Sequence, residues 1–192
     1  MSDLFDTGAK TPATTDAPTP LADRLRPATL AEVVGQGSLL DEDGPLGAMI
    51  AAGSLGSSIL WGPPGVGKTT IARLLAHETG RAFVQISAIF TGVADLKKIF
   101  ESAKLRRTNG QGTLLFVDEI HRFNKSQQDS FLPHMEDGTI LLVGATTENP
   151  SFELNAALLS RAQILVLERL DDDAMERLVA RAEEHLGVAL PL

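Results

Sequence analysis

The chain has 192 residues, 43% of them hydrophobic, with a formal net charge of -8 and a pI near 5.0. That length holds one α/β domain and part of a second. The absence of cysteine excludes disulfides, zinc–thiolate sites and thiol chemistry and is compatible with a reducing cytoplasm; the acidic balance excludes a passive nucleic-acid coat, and no run approaches the roughly 18 apolar residues that cross a bilayer.

Residues 1–20 are rich in Thr, Ala, Pro and Asp, without apolar periodicity, and read as a disordered tail. Its start, Met1-Ser2-Asp3-Leu4-Phe5-Asp6, lacks the basic and apolar regions of a secretory signal, so the expected location is the cytoplasm. Leu4-Phe5 is a lone apolar pair: part of a plain flexible tail, or a docking peptide for a partner such as a replication clamp. From residue 21 to about 170, short apolar runs alternate with helical periods. Residues 57–61 form a candidate strand and residues 69–79 a helix with Ile71, Leu74 and Leu75 on one face. A strand at 83–86 follows, then a helix at 95–106 with Leu96, Ile99, Phe100 and Ala103 in register. The continuous run Leu114-Leu115-Phe116-Val117 suits a strand covered on both faces. A helix at 126–136, bent near Pro133, and strands at 140–145 and 164–167 complete this part. Strands alternating with helices imply a mainly parallel sheet with helices on both sides. Residues 171–192 read as one amphipathic helix opening on Asp171, Asp172 and Asp173. Its stripe of Met175, Leu178, Val179 and Ala182 has nothing after it to pack on, as if it began a second, smaller domain.

Two motifs carry chemistry. Gly62-Pro63-Pro64-Gly65-Val66-Gly67-Lys68-Thr69 fits G-x-x-x-x-G-K-[ST], between a strand and a helix. Glycines allow backbone N–H groups to turn inward around phosphates, Lys68 supplies a cation to the β- and γ-phosphates, and the Thr69 hydroxyl suits Mg²⁺. The helix that follows, with Thr70 in its first turn, aims its positive end at the same anions. The implied ligands are ATP and Mg²⁺. The second motif is Asp118-Glu119, at the end of the buried run 114–117. Asp118 suits the Mg²⁺ shell through water, and Glu119 suits a general base that polarises an attacking water. Beside a phosphate loop, that pair points to hydrolysis, so Lys68 and Glu119 are the candidate catalytic residues read from the motifs alone.

These residues resemble an AAA+ ATPase of the clamp-loader-like branch: a P-loop NTPase with a three-layer parallel sheet and the start of a helical lid. Residues 20–27 with Val33-Val34-Gly35-Gln36 resemble the segment that cups adenine in that branch, so Val33, Val34 and Gly35 are expected to line the base pocket. Residues 144–150 resemble its sensor-1 strand end; the resemblance assigns that role to Thr147, or to Asn149 two positions on. Leu159-Ser160-Arg161 resembles the Ser-Arg pair of the arginine finger, which implies that Arg161 acts in trans on the ATP of a neighbouring subunit. Residues 121–129 and 147–155 resemble the replication-associated recombination protein A family in particular. That family implies a DNA-dependent ATPase of stalled replication forks, working as a homo-oligomer on forked DNA or single-strand/duplex junctions. A replication clamp or a single-strand-binding protein is an expected partner, and no membrane is involved. Family members continue into further lid helices with a sensor-2 arginine and an oligomerisation region, which the sequence up to Leu192 does not contain.

Between Lys97 and Arg107, five cations (Lys97, Lys98, Lys104, Arg106, Arg107) stand against the single acid Glu101, and Arg122 and Lys125 follow the acidic pair. Either group suits DNA phosphates, and either is equally an ordinary solvated face; no aromatic stacking platform is expected beside them. Two other readings stay open. A protein-remodelling motor needs an aromatic–hydrophobic–Gly loop, a pattern that Ile89-Phe90-Thr91-Gly92-Val93 in that region lacks. A nucleotide-binding fragment with little turnover needs only the phosphate loop.

Overall fold

The computed structural model describes residues 24–187 and 189. The expected tail, the Leu4-Phe5 pair and the first residues of the segment likened to an adenine cup lie outside them. Five parallel strands form one sheet: β1 (Ser58–Trp61), β2 (Ala82–Ser87), β3 (Thr113–Asp118), β4 (Leu141–Thr146) and β5 (Gln163–Val166). Their order is β2-β3-β4-β1-β5. The chain leaves β1 for the far edge at β2 and later leaves β4 for the opposite edge at β5. A crevice at the carboxyl ends of β1 and β4 results, where open parallel sheets bind ligands.

Alternation along the strands builds three layers. Leu60, Leu114, Phe116, Leu141 and Val143 face one core, which helices α1 (Gly37–Leu40), α2 (Pro45–Ala51) and α3 (Lys68–Glu78) cover with Leu39, Leu46, Ile71 and Leu75. Ile59, Leu115, Val117 and Leu142 face the other, covered by α4 (Val93–Thr108) with Leu96, Phe100 and Ala103, and by Phe131. Phe131 lies edge-on to Phe100 at 5.6 Å between ring centroids.

One expectation is corrected. The helix expected over 126–136 is two helices, α5 (Lys125–Asp129) and α6 (Leu132–Glu136). Pro133 has no N–H to give the Asp129 carbonyl four residues back, and its ring would collide with it, so the first helix ends there. After α7 (Pro150–Glu153) and α8 (Ala156–Leu159), the last helix is α9 (Asp172–Leu186), capped by Asp171, whose side chain accepts from the Ala174 N–H at 2.8 Å. Of its apolar stripe, Ala182 is buried and Leu178 and Val179 are half-buried, while Met175 stays 48% exposed. Arg181 pairs with Glu32 at 3.1 Å, and Ala174 and Leu170 pack closely against Gly35. Among the described residues, no helix is long and apolar enough to cross a membrane.

Candidate functional site

The phosphate loop joins β1 to α3. Its glycines serve two different ends. Gly65 and Gly67 take φ values of +80° and +94°, which side chains rarely adopt, and a Cβ added to either would meet nothing within 4 Å. Both therefore border an open cradle that a side chain would fill. Gly62 is needed for packing instead: a Cβ there would come within 2.5 Å of the Leu167 carbonyl oxygen. Val66 is buried and anchors the loop to the core.

A cleft of about 520 Å³ opens at this loop. Pro64, Gly65, Gly67, Lys68, Thr69, Thr70, Asp118, Glu119 and Thr147 line it. Residues from three separate stretches of sequence are thus brought to one place, as the motifs required. The start of α3 points its unpaired N–H groups and positive dipole end toward the same space. The Lys68 ammonium donates to the carbonyls of Gly62 at 2.7 Å and Pro63 at 2.8 Å. Burial holds it below the usual lysine range, and the carboxylates of Glu119 and Asp118 oppose that shift.

Glu119 is the one non-glycine residue among those described with positive φ, at 54°. Such a conformation costs energy and is held by its surroundings. Here the Glu119 carbonyl accepts from the Arg122 N–H at 2.8 Å, closing a 3-10 turn over Ile120–Arg122, and fully buried Ile120 pins that turn to the core. The bend turns the chain out of β3 directly after Asp118, so both carboxylates reach the cleft.

The remaining expected residues fall elsewhere. Asn149 accepts from the Ser151 N–H at 3.0 Å and caps α7, so of the two positions considered together only Thr147 lines the cleft. Arg161 lies outside it, after α8. Its Nε donates to Glu136 at 2.6 Å and its Nη1 to the Ala157 carbonyl at 3.0 Å. Val33, Val34 and Gly35 do not line the cleft either. Gly35 abuts Leu170, and Leu170 with Pro63, Pro64, Val66 and Met175 borders a neighbouring hollow of about 370 Å³.

Four residues near the site were given no role from the sequence, although Arg26 and His121 lie in the stretches 20–27 and 121–129. Arg26, Arg73 and Gln85 line the cleft. Arg73 lies over the Phe83 ring at 4.8 Å and approaches the Gln85 side chain at 3.4 Å. His121 stands behind Glu119, its Nε2 3.3 Å from the carboxylate. Arg73 and Gln85 belong to no contiguous motif; Arg73 comes in on α3, Gln85 on β2, and His121 on the turn after β3.

The oxygen donors suit a hard cation held beside phosphates. Among the described residues no group of three or more His, Cys, Asp or Glu gathers into a metal cluster, so the Thr69 hydroxyl and Asp118 would leave most of a Mg²⁺ shell to phosphate oxygens and water, as that ion prefers.

Residues 58–170, the segment that contains the phosphate loop, Asp118, Glu119 and Thr147, match the ATPase family associated with various cellular activities (AAA). The chain belongs to the AAA family of ATPases. The expected likeness within that family is borne out. This AAA chain is 53% identical over 165 residues to the replication-associated recombination protein A of Escherichia coli, covering 86% of the chain and 37% of that protein. It is 54% identical over 172 residues to the protein of the same name from Coxiella burnetii, covering 88% and 39%. Similarity extends to the ATPase WRNIP1 of Dictyostelium discoideum, 46% identical over 86% of the chain and 19% of that protein. The chain therefore spans well under half the length of these relatives. Among solved structures, the AAA fold is similar to the Thermotoga maritima RuvB Holliday junction branch migration motor, with a TM-score of 0.72 and 32% identity over 85% of this chain and 55% of that one.

Proposed function

We propose that this chain is the nucleotide-binding part of a DNA-dependent ATPase that acts in replication-associated recombination. The observation that carries the reading is the convergence of the phosphate loop, Asp118, Glu119 and Thr147 on one cleft at the switch point of a parallel sheet. The relatives named for replication-associated recombination supply the process, and the branch migration motor supports DNA as the class of partner.

In this reading the backbone N–H groups of residues 65–69 and the Lys68 ammonium bind the β- and γ-phosphates. Thr69 and, through water, Asp118 would hold Mg²⁺, which would supply charge neutralisation at the phosphates. Glu119 draws a proton from the attacking water, whose oxygen forms the new bond to the γ-phosphorus as the bond to the bridging oxygen breaks and ADP departs. Thr147 orients that water or the γ-phosphate. The adenine lies in the hollow bordered by Leu170, the residue that Gly35 abuts, with Val33 and Val34 preceding Gly35 in the chain.

Arg161 serves the next subunit. Its position outside the cleft agrees with a role in trans, and mixing experiments test it. At the natural full length of the protein, Arg161→Ala abolishes turnover by at least about 10³-fold while each subunit still binds ATP. Adding Glu119→Gln subunits, which lack the base but keep the finger, restores activity to the mixture. Failure of that complementation removes Arg161 from the mechanism.

For DNA, the cations divide. Arg107 approaches Asp137 at 3.8 Å, whereas Lys97 and Lys98 are exposed at the start of α4. Phe90 is 85% exposed just before that helix. An exposed Ile89 and Phe90 also favour the second reading, an apolar loop that grips unfolded polypeptide. One assay separates the two. Forked DNA stimulates the ATPase, unfolded protein does not, and charge reversal at Lys97 and Lys98 removes the stimulation. Stimulation by unfolded protein alone overturns the DNA reading.

A further inference from the structure

The 3-10 turn after β3 carries a buried side chain that the hydrolytic reading leaves without a role. The His121 side chain is 6% exposed. Its Nε2 stands 3.3 Å from Glu119 Oε2, and its Nδ1 stands 2.8 Å from the hydroxyl of fully buried Thr146. Thr146 Oγ1 in turn accepts from the Glu148 N–H at 3.0 Å and lies 3.2 Å from the Glu148 carbonyl. A continuous chain of hydrogen bonds thus runs from Glu119 through His121 and Thr146 to the backbone that flanks Thr147.

Counting donors and acceptors shows that this chain is complete in either charge state of the ring. With neutral His121, Nε2–H donates to the Glu119 carboxylate and Nδ1 accepts the Thr146 hydroxyl proton. With both nitrogens protonated, Nδ1–H donates to Thr146 Oγ1, whose own proton turns to the Glu148 carbonyl. His121 keeps both partners in either case, and where the hydroxyl proton is given to Nδ1 the carbonyl of exposed Glu148 is left to water.

We propose that His121 is a positioning residue: it holds the Glu119 carboxylate in the direction needed to polarise water, and it ties that carboxylate through Thr146 to the strand end that presents Thr147. The inference rests on Glu119 as the water-polarising group. It gives a use to the strained Glu119 backbone, because a residue held at positive φ by a local turn still has free side-chain torsions, and an anchored partner fixes them. It also links two walls of the cleft, so that a contact made at Thr147 bears on the orientation of Glu119.

Steady-state kinetics on the full-length protein test this. His121→Asn, which keeps a group near Nδ1 but cannot reach Glu119, lowers kcat by about tenfold with KM for ATP unchanged. His121→Gln places an amide N–H near the Nε2 position and recovers most of the loss. In the double variant His121→Asn with Glu119→Gln, turnover is no lower than with Glu119→Gln alone, since a residue that acts through Glu119 has nothing left to act on. A kcat unchanged in His121→Asn overturns the proposal. So does a loss that His121→Gln fails to recover, a rise in KM with unchanged kcat, or a double variant that loses the full product of the two single effects. If Glu119→Gln itself leaves turnover intact, the hydrolytic reading fails first; if Glu119→Gln abolishes turnover and the His121 variants do not reduce it, only the positioning role fails.

Discussion

Replacing Glu119 by Gln lowers kcat for ATP hydrolysis by about 10²- to 10⁴-fold and leaves ATP binding intact. The substitution removes a negative charge and a proton acceptor while keeping size and shape. The amide oxygen still accepts a hydrogen bond from His121, 3.3 Å from the present carboxylate, and the turn that fixes the backbone depends on the Glu119 carbonyl rather than its side chain. The cleft therefore keeps its form. What is lost is the group that takes a proton as the water attacks, a loss confined to the transition state, so kcat falls while KM does not rise. Glu119 also lies near Lys68, and its charge favours the protonated amine. Removing it strips one unfavourable anion from beside the phosphates, so ATP affinity stays level or increases. Calorimetric titration together with single-turnover hydrolysis measures both quantities on one sample. Hydrolysis within a factor of two of wild type would remove Glu119 from the chemistry.

Lys68→Ala has the opposite signature. The ammonium is the loop's only side-chain cation, and a charge-assisted hydrogen bond to phosphate contributes about 1.5–3 kcal/mol, which corresponds to roughly 10- to 100-fold in affinity. Lys68 begins α3, where alanine is well tolerated. The fold should not suffer, because the buried residues of that helix, from Ile71 to Ala76, lie beyond the substitution. Two loop carbonyls, of Gly62 and Pro63, lose a donor and gain water instead. The expected result is a well-folded chain by circular dichroism with ATP binding weakened by that factor and turnover lost. Unchanged affinity would mean that ATP is held elsewhere.

The strands were legible because a parallel sheet buried on both faces demands continuous apolar runs, and 114–117 is such a run. The split of residues 126–136 was not. Pro133 was visible, but whether it bends a helix or ends one depends on whether the Asp129 carbonyl has another place to go. Nor does a local pattern show which earlier residues the last helix meets: Gly35 and Glu32, more than a hundred positions earlier, lie against Ala174 and Arg181. In the site, Lys68, Thr69 and Asp118 could be read because phosphate binding is done by consecutive residues at fixed spacing. Thr147 and Asn149 could not be separated in sequence; the cap that Asn149 provides to α7 distinguishes them. Arg73 and Gln85 acquire meaning only where α3 and β2 meet at the cleft, and His121 only through the turn at Glu119, which its place in the run 121–129 does not show.

The account stands on one claim above the others, that the cleft bordered by the phosphate loop, the acidic strand end and Thr147 receives Mg²⁺-ATP. Amide chemical-shift mapping of this chain during titration with Mg²⁺-ATP tests it directly. Saturable shifts concentrated at Gly65, Gly67, Lys68 and Thr69, with Asp118, Glu119 and Thr147 moving along the same isotherm, are the predicted result. Saturating nucleotide that leaves these amides unmoved, or that shifts mainly the region around Arg107 and Asp137, would contradict it.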